Sequence, residues 1–309
     1  MRIVFMGTPD FGVYSIRKLT ESTHKVVGIV TQPDRPKGRG RRLASSSVKK
    51  EAQKLGIPIF QPQNLKEPEF LGWLAHNEGD CFVVVGFRIL PPEVYEMPPN
   101  GTINLHASLL PKYRGAAPIQ WALINGEEET GVTTFFIERK VDTGDIILQE
   151  RITIGKDETA GELHDRLAVI GADLIVQTVD LIERGTVEQL SQKGTPTLAP
   201  KIQPEHCEVN WSLSSEHIVN LVRGLSPRPG AFTMWNNKRL KIFHVSVVGK
   251  CSDRKTQPGR VIEASDEGII VEAADGCVCI GELQVEGKKR MIVGEFLRGR
   301  DISIDTVLG

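Results

Sequence analysis

At 309 residues the chain is long for one hydrophobic core and comfortable for two domains. With 40% hydrophobic and 25% charged residues it has ordinary globular composition, which argues against a disordered protein. A net charge of −1 excludes a uniformly basic polyanion binder, so any nucleic-acid footprint has to be local.

Met1-Arg2-Ile3-Val4-Phe5 starts a strand and lacks the charged-then-apolar layout of a signal peptide. No apolar run reaches membrane-spanning length, and the cytoplasm is the expected compartment. Arg2–Met6 is an apolar strand, Gly7-Thr8-Pro9-Asp10-Phe11-Gly12 a turn, and Val13, Ile16 and Leu19 form a helical stripe. The turn is not GxGxxG and no GK[ST] follows, so a dinucleotide or ATP site is poorly supported. Lys25–Thr31 is the next strand.

Gln32–Lys50 breaks the strand–helix rhythm. Arg35, Lys37, Arg39, Arg41 and Arg42 stand there against a single acid, Asp34, with Gly38 and Gly40 among them. Most strand-to-helix loops are a few residues long, so this insertion reads as a phosphate-contacting loop or as a solvated charge run. Val48, Ala52 and Leu55 start a second helix. Ile57–Phe60 is a short strand, and Phe70, Leu71 and Leu74 belong to a third helix. Asp80–Val85 is continuously apolar after its first residue, as a strand buried on both faces should be. It ends in the loop Gly86-Phe87-Arg88-Ile89-Leu90-Pro91.

Thr102–Leu105 is a further strand, with Asn104 and His106 two residues apart at its end. Residues i and i+2 of a strand project from one face, so an amide and an imidazole point together beyond the strand tip. Carboxyl ends of strands in open α/β sheets are where ligands bind. The pair also fits a satisfied structural Asn and His. Ser108–Pro111 leaves the strand as a loop, and Tyr113-Arg114-Gly115 turns the chain before a helix marked by Ile119 and Leu123. Gly131–Ile137 and Ile146–Ile152 are strands around the polar turn Glu138–Asp145. Leu163, Leu167, Ile170 and Leu174 mark a long amphipathic helix.

Beyond about residue 190 the alternation stops. This divides the chain into an α/β domain over 1–190 with a mostly parallel sheet, a linker over 191–205 and a smaller all-β domain over 206–309. Ser214–Arg223 is a helix with a Ser N-cap. Ala231–Trp235, Lys238–Val248, Gly259–Ala264, Gly268–Ala273 and Cys277–Val285 are strands whose spacing suggests a small OB-like barrel. Residues 191–261 hold 11 Lys/Arg against 4 Asp/Glu, a local basic excess suited to a polyanion or to a solvated surface. The five cysteines, Cys81, Cys207, Cys251, Cys277 and Cys279, show no CxxC spacing, so neither a metal site nor a disulfide framework is expected.

Asn104-Leu105-His106-Ala107-Ser108-Leu109-Leu110-Pro111 with Asp142-Thr143-Gly144-Asp145 resembles the active site of folate-dependent formyltransferases. Tyr113-Arg114-Gly115-Ala116-Ala117-Pro118-Ile119, Gly7-Thr8-Pro9-Asp10-Phe11 and Gln32-Pro33-Asp34-Arg35 narrow the resemblance to the methionyl-tRNA formyltransferases, essentially end to end. The resemblance implies a Rossmann-like first domain that binds 10-formyltetrahydrofolate and an OB-like second domain that helps hold initiator methionyl-tRNA. It implies catalytic Asn104, His106 and Asp142, and folate contacts from Ser108, Leu109, Leu110 and Pro111 and from Ile89, Leu90 and Pro91. It also implies a tRNA-contacting loop carrying Arg35, Lys37, Arg39, Arg41 and Arg42, a monomer, and no metal or membrane. The Gly86–Pro91 loop is one residue shorter than the family's Ala-Tyr-Gly-x-Ile-Leu-Pro. Arg88 could therefore reach the glutamate tail of folate or point into solvent. The same site motif also suits a formyltransferase acting on an amino sugar or another small amine, or a hydrolase that passes the formyl group to water.

Overall fold

In a computed structural model of the protein, residues 1–37, 42–249, 257–299 and 302–309 are described. The chain runs β1 (Arg2–Gly7), α1 (Phe11–Glu21), β2 (Lys25–Val30), β3 (Arg35–Lys37), β4 (Arg42–Ala44), α2 (Ser47–Lys54), β5 (Ile59–Phe60), α3 (Pro68–His76), β6 (Cys81–Val85), α4 (Pro92–Tyr95), β7 (Thr102–His106) and β8 (Arg114–Gly115). It continues through α5 (Pro118–Ile124), β9 (Glu129–Phe136), β10 (Ile146–Thr153), α6 (Ala160–Arg184), β11 (Leu198–Ala199) and α7 (Ser215–Leu225). Then follow β12 (Ala231–Trp235), β13 (Lys238–Gly249), β14 (Val261–Ser265), β15 (Gly268–Glu272), β16 (Cys277–Val285), β17 (Met291–Ile292) and α8 (Val293–Leu297).

Two compact units form. The first holds Met1–Ala116, Glu129–Ile152 and His164–Ala199; the second holds Ala117–Glu128, Thr153–Leu163 and Pro200–Gly309. The first unit is built on a seven-stranded sheet in the order β10-β9-β7-β6-β1-β2-β5. The pairs β1–β2, β1–β6, β2–β5 and β6–β7 are parallel, and β7–β9 is antiparallel. All five residues of β6 are buried, as a continuous Val-rich run requires when helices cover both faces of a parallel sheet. In α6, Leu163, Leu167, Ala168, Ala172, Ile175 and Val179 make the buried stripe at helical spacing. The helix comes close to β7 at Gly171, where a Cβ would stand 2.6 Å from Leu105 Cδ2. Leu105 thus anchors one face of β7 and leaves Asn104 and His106 on the other.

The basic insertion is a short hairpin, β3 against β4, paired Arg35↔Ala44 to Lys37↔Arg42. Its base is tied by Asp34, which accepts from Lys49 Nζ at 2.7 Å, Gln61 Nε2 at 3.0 Å and Ser45 Oγ at 3.2 Å. Those bonds, Lys49's first, hold the Asp34 carboxyl below its ordinary range. Asp34 therefore secures the base of the hairpin. Arg39 and Arg41 lie outside the described residues, as do the side chains of Lys37 and Arg42.

The second unit is an antiparallel sheet in the order β12-β13-β16-β15-β14, with β17 beside β16. Ser214 caps α7, its hydroxyl accepting from the His217 amide at 3.2 Å. Ile218, Leu221, Val222 and Leu225 of α7 join Val245, Val271 and Ile280 in the core, and Ile124 of α5 joins the same core. The α5–α7 approach is close at Gly224, where a Cβ would stand 2.8 Å from Ile124 Cγ1. Residues 117–128 and 153–163 thus contribute to the second unit from within the first 190 positions, a long-range packing that helical periodicity alone does not reveal. Cys81, Cys207 and Cys279 are free thiols, and Cys251 lies outside the described residues. No helix among the described residues is long and apolar enough to cross a membrane.

Candidate active site

β7 ends where the parallel strands present their carboxyl ends, and a cleft of about 100 Å³ opens there. Asn104 and Asp142 line it. So do Phe87, Arg88, Ile89 and Leu90 after β6, and Arg139, Lys140 and Val141 of the β9–β10 turn. A larger hollow beside Met1, Arg2 and Lys25 lies at the amino ends of β1 and β2, away from these groups. His24, Asp180 and Glu183 bring three potential metal ligands together there, but Glu183 already accepts from the Met1 amine at 2.6 Å.

The Asn104 side-chain amide makes no hydrogen bond among the described residues, so its donors are open to the cleft. His106 lies behind it, 6% exposed. Its Nε2 is 2.8 Å from the Tyr113 carbonyl oxygen. A carbonyl can only accept, so Nε2 carries the proton and Nδ1 carries the lone pair of the neutral ring. Nδ1 lies 3.8 Å from Asp142 Oδ2. That is too long for a hydrogen bond.

Asp142 has φ +55°, an unusual conformation for a non-glycine residue. Its carboxylate accepts from the Gly115 amide at 2.8 Å, and its carbonyl accepts from Gln192 Nε2 at 3.0 Å. Two residues on, a Cβ at Gly144 would stand 1.8 Å from the Phe136 carbonyl oxygen, so the turn closes on β9 only with glycine there.

The loop after β7 is held from within. Ser108 is fully buried, and its hydroxyl donates to the Lys112 carbonyl at 2.6 Å. Thr133 Oγ1 donates to the Ser108 carbonyl at 2.6 Å, and Gln149 Nε2 donates to the Leu110 carbonyl at 2.9 Å. Leu110 packs with Phe135 and Ile146.

The formyl transferase family pattern matches residues 1–179, and the formyl transferase C-terminal domain pattern matches residues 201–301. A methionyl-tRNA formyltransferase from Desulforamulus reducens is 48% identical over 311 residues, covering 100% of this chain and 98% of the relative. The chain belongs to the methionyl-tRNA formyltransferase family. Its fold extends to distant proteins. HypX from Aquifex aeolicus, solved in complex with tetrahydrofolic acid, superposes with a TM-score of 0.66 at 19% identity over 99% of this chain, which spans 50% of HypX. WlaRD, a sugar 3N-formyl transferase solved in the presence of dTDP and 5-N-formyl-THF, gives 0.66 at 20% identity, over 94% of this chain and 99% of that one.

Within this family member the structure brings together Asn104, His106, Asp142, Ile89 and Leu90. Among the described residues, His106, Pro91, Ser108, Leu109, Leu110 and Pro111 do not line the cleft; His106 stands behind it beside Asp142, and Pro91 caps α4. Arg88 is not free in solvent. Its Nη1 and Nη2 donate to the carbonyls of Gln63 at 3.0 Å and Pro62 at 2.7 Å, while Nε has no partner. Burial, aided by nearby Arg35, pushes its guanidinium below its usual value.

Sequence reasoning missed the braces. Thr197 Oγ1 accepts from the Tyr113 amide at 2.8 Å, and the Thr197 carbonyl accepts from the Arg114 amide at 2.9 Å. Both bonds come from the stretch read as a linker, where three prolines and several polar residues carry no periodic signal. In the structure β11 of that stretch pairs with β8.

Proposed function

We propose that the protein transfers the formyl group of 10-formyltetrahydrofolate to the free α-amino group of initiator methionyl-tRNA, giving N-formylmethionyl-tRNA for translation initiation. The observation that carries this reading is the open Asn104 amide beside a histidine whose proton is fixed on Nε2. The amine attacks the formyl carbon, and negative charge develops on the formyl oxygen. Asn104 donates to that oxygen; losing one such donor typically costs about 2.7–4 kcal/mol in the transition state. His106 Nδ1 takes the proton that the amine loses, and the Tyr113 carbonyl keeps Nε2 bound as it does so. Asp142, 3.8 Å away, stabilises the imidazolium and leaves space beside it for the amine. The proton then returns to the departing folate nitrogen. No protein nucleophile is needed, and burial pushes the nearest-strand thiol, Cys81, up to about 12.

The cleft suits the donor in shape and charge. Leu90, Val141 and the 74%-exposed Ile89 offer apolar walls to a flat ring, and Arg139 and Lys140 offer charge to carboxylates. Ile89 and Leu90 are the folate contacts of this reading, while Pro91 and Ser108–Pro111, which do not line the cleft, shape the loops behind it.

The acceptor is assigned from Arg35, Lys37, Arg39, Arg41 and Arg42 of the basic insertion and from the basic excess over 191–261, which suit a polyanion. This gives residues 1–190 the catalytic role and 206–309, an OB-like domain, the tRNA-holding role, in a cytoplasmic monomer that uses no metal. An amino-sugar acceptor is the second reading, favoured by the fold shared with WlaRD, but it leaves the basic hairpin without a purpose.

The test combines purified protein, 10-formyltetrahydrofolate and radiolabelled methionyl initiator tRNA. Formylmethionyl-tRNA that disappears with His106→Ala is expected. No product from the unaltered protein, with folate still bound, would move the reading to a small amine.

A further inference from the structure

Gln192 lies outside the cleft, yet its side chain joins both sides of the catalytic constellation. Its Nε2 amide donates one hydrogen to the Asp142 carbonyl at 3.0 Å and the other to the Gly144 carbonyl at 2.9 Å. Its Oε1 accepts from Arg114 Nη2 at 2.6 Å and Nε at 3.2 Å. An amide has two donors and one acceptor oxygen, and all are engaged here. Arg114 follows Tyr113, whose carbonyl fixes His106, and precedes Gly115, whose amide holds the Asp142 carboxylate at 2.8 Å.

The geometry points to Gln192 as a positioning residue that holds the Asp142 turn against the His106 loop. The inference rests on the catalytic reading given above. Asp142 sits at φ +55°, which costs energy for a residue with a Cβ unless its surroundings enforce it. The two amide donations supply that enforcement, because they fix the carbonyls on either side of Thr143. The charged Arg114 on Oε1 polarises the amide and strengthens both donations. Without them the turn relaxes, Asp142 leaves the Gly115 amide, and its 3.8 Å approach to Nδ1 is lost.

The experiment compares Gln192→Leu and Gln192→Glu with the unaltered protein. Leucine keeps the bulk and removes every hydrogen bond. Glutamate keeps the Arg114 pairing but, ionised, cannot donate to the two carbonyls. Both variants should lose about 10²-fold in kcat, the scale expected for a displaced catalytic group, while KM for the folate donor stays unchanged. Hydrogen exchange at the Gly115 amide should accelerate in both, with core amides of β1 and β6 unaffected. Full kcat in Gln192→Glu would overturn the inference, since Arg114 pairing alone would then suffice. Unchanged Gly115 exchange in either variant would overturn it too. That exchange measurement needs no acceptor, so it decides the positioning role even if the unaltered protein forms no formylmethionyl-tRNA, a result that would count only against the proposed function.

Discussion

His106 Nδ1 and Asp142 Oδ2 lie 3.8 Å apart, while the other imidazole nitrogen is committed to the Tyr113 carbonyl at 2.8 Å. The bond to the carbonyl selects the tautomer, and the longer gap leaves Nδ1 free to accept a proton from a third group. A direct His–Asp hydrogen bond would instead have occupied Nδ1. In the proposed mechanism the carboxylate acts on His106 through charge rather than through a direct hydrogen bond.

His106→Ala should abolish formyl transfer while leaving thermal stability close to that of the unaltered protein. Asn104→Ala should lower kcat by roughly 10²–10³-fold with little change in KM for the donor. In the proposed mechanism the groups act as a unit, so Asn104→Ala with Asp142→Asn should cost far less than the product of the single losses. Steady-state kinetics of the three variants checks this; multiplicative losses would show independent roles.

Gly144→Ala should be among the most damaging single-methyl changes in the chain. The added Cβ meets the Phe136 carbonyl oxygen at 1.8 Å, so the Asp142 turn has to swing off β9. A fall in kcat of at least tenfold, with KM for tRNA maintained, is expected. Near-normal turnover would mean that the turn shifts without moving Asp142.

In the second unit, Glu272 is 1% exposed and accepts from Arg260 Nε at 2.8 Å and Nη2 at 3.0 Å. Burial opposes its charge, yet Arg260 and the Gln257 amide together hold the carboxyl below its ordinary range. Arg260→Met leaves that buried charge with only the Gln257 amide beside it, which should lower stability clearly. Arg260→Met with Glu272→Leu should recover much of the loss. Urea unfolding of the single and double variants tests this.

The Asp34 anchor predicts how the basic hairpin responds to acid. The folded carboxyl titrates below the ordinary value of 3.8, so its stabilisation is complete above that value and fades as pH falls through the lower, folded one. Exchange at the Leu43 and Ala44 amides should therefore rise from about pH 4 downward, and Asp34→Asn should remove this acid sensitivity while loosening the hairpin at neutral pH. An acid response that survives in Asp34→Asn would assign it to another group.

For the acceptor, Arg35→Ala should weaken use of methionyl-tRNA without altering folate binding, and the tRNA interaction should weaken steeply with added salt. Each lost phosphate contact lowers the salt slope by about 0.9 on duplex. Titration of tRNA at several salt concentrations, with Arg35→Ala and Arg41→Ala beside the unaltered chain, measures both effects. Identical titrations in all three would return the hairpin to a solvated charge run.

The local elements were legible because their signals are local. Alternation and capping located β16 at Cys277–Val285 and the α7 cap at Ser214, and the Asn104–His106 spacing put both groups on one face of β7. The clamp was not legible. Gln192 and Arg114 are separated by 78 positions, and no periodic pattern links them. Ser108 and Arg88 show the same limit: a hydroxyl and a guanidinium in a site loop look available, but the folded chain spends them on the carbonyls of Lys112, Gln63 and Pro62.

The sequence by itself determined most of the longer strands and helices, the strand tip that carries the amide and imidazole, and the motif set that marks the family, because each depends on neighbours within a few residues. Only the tertiary structure decided which histidine nitrogen bears the proton, how far Asp142 stands from the other, and which segments of the first 190 residues complete the second unit's core. Those outcomes depend on hydrogen bonds and packing between distant parts of the chain, which form only when the backbone groups left unpaired by local structure find partners across the fold.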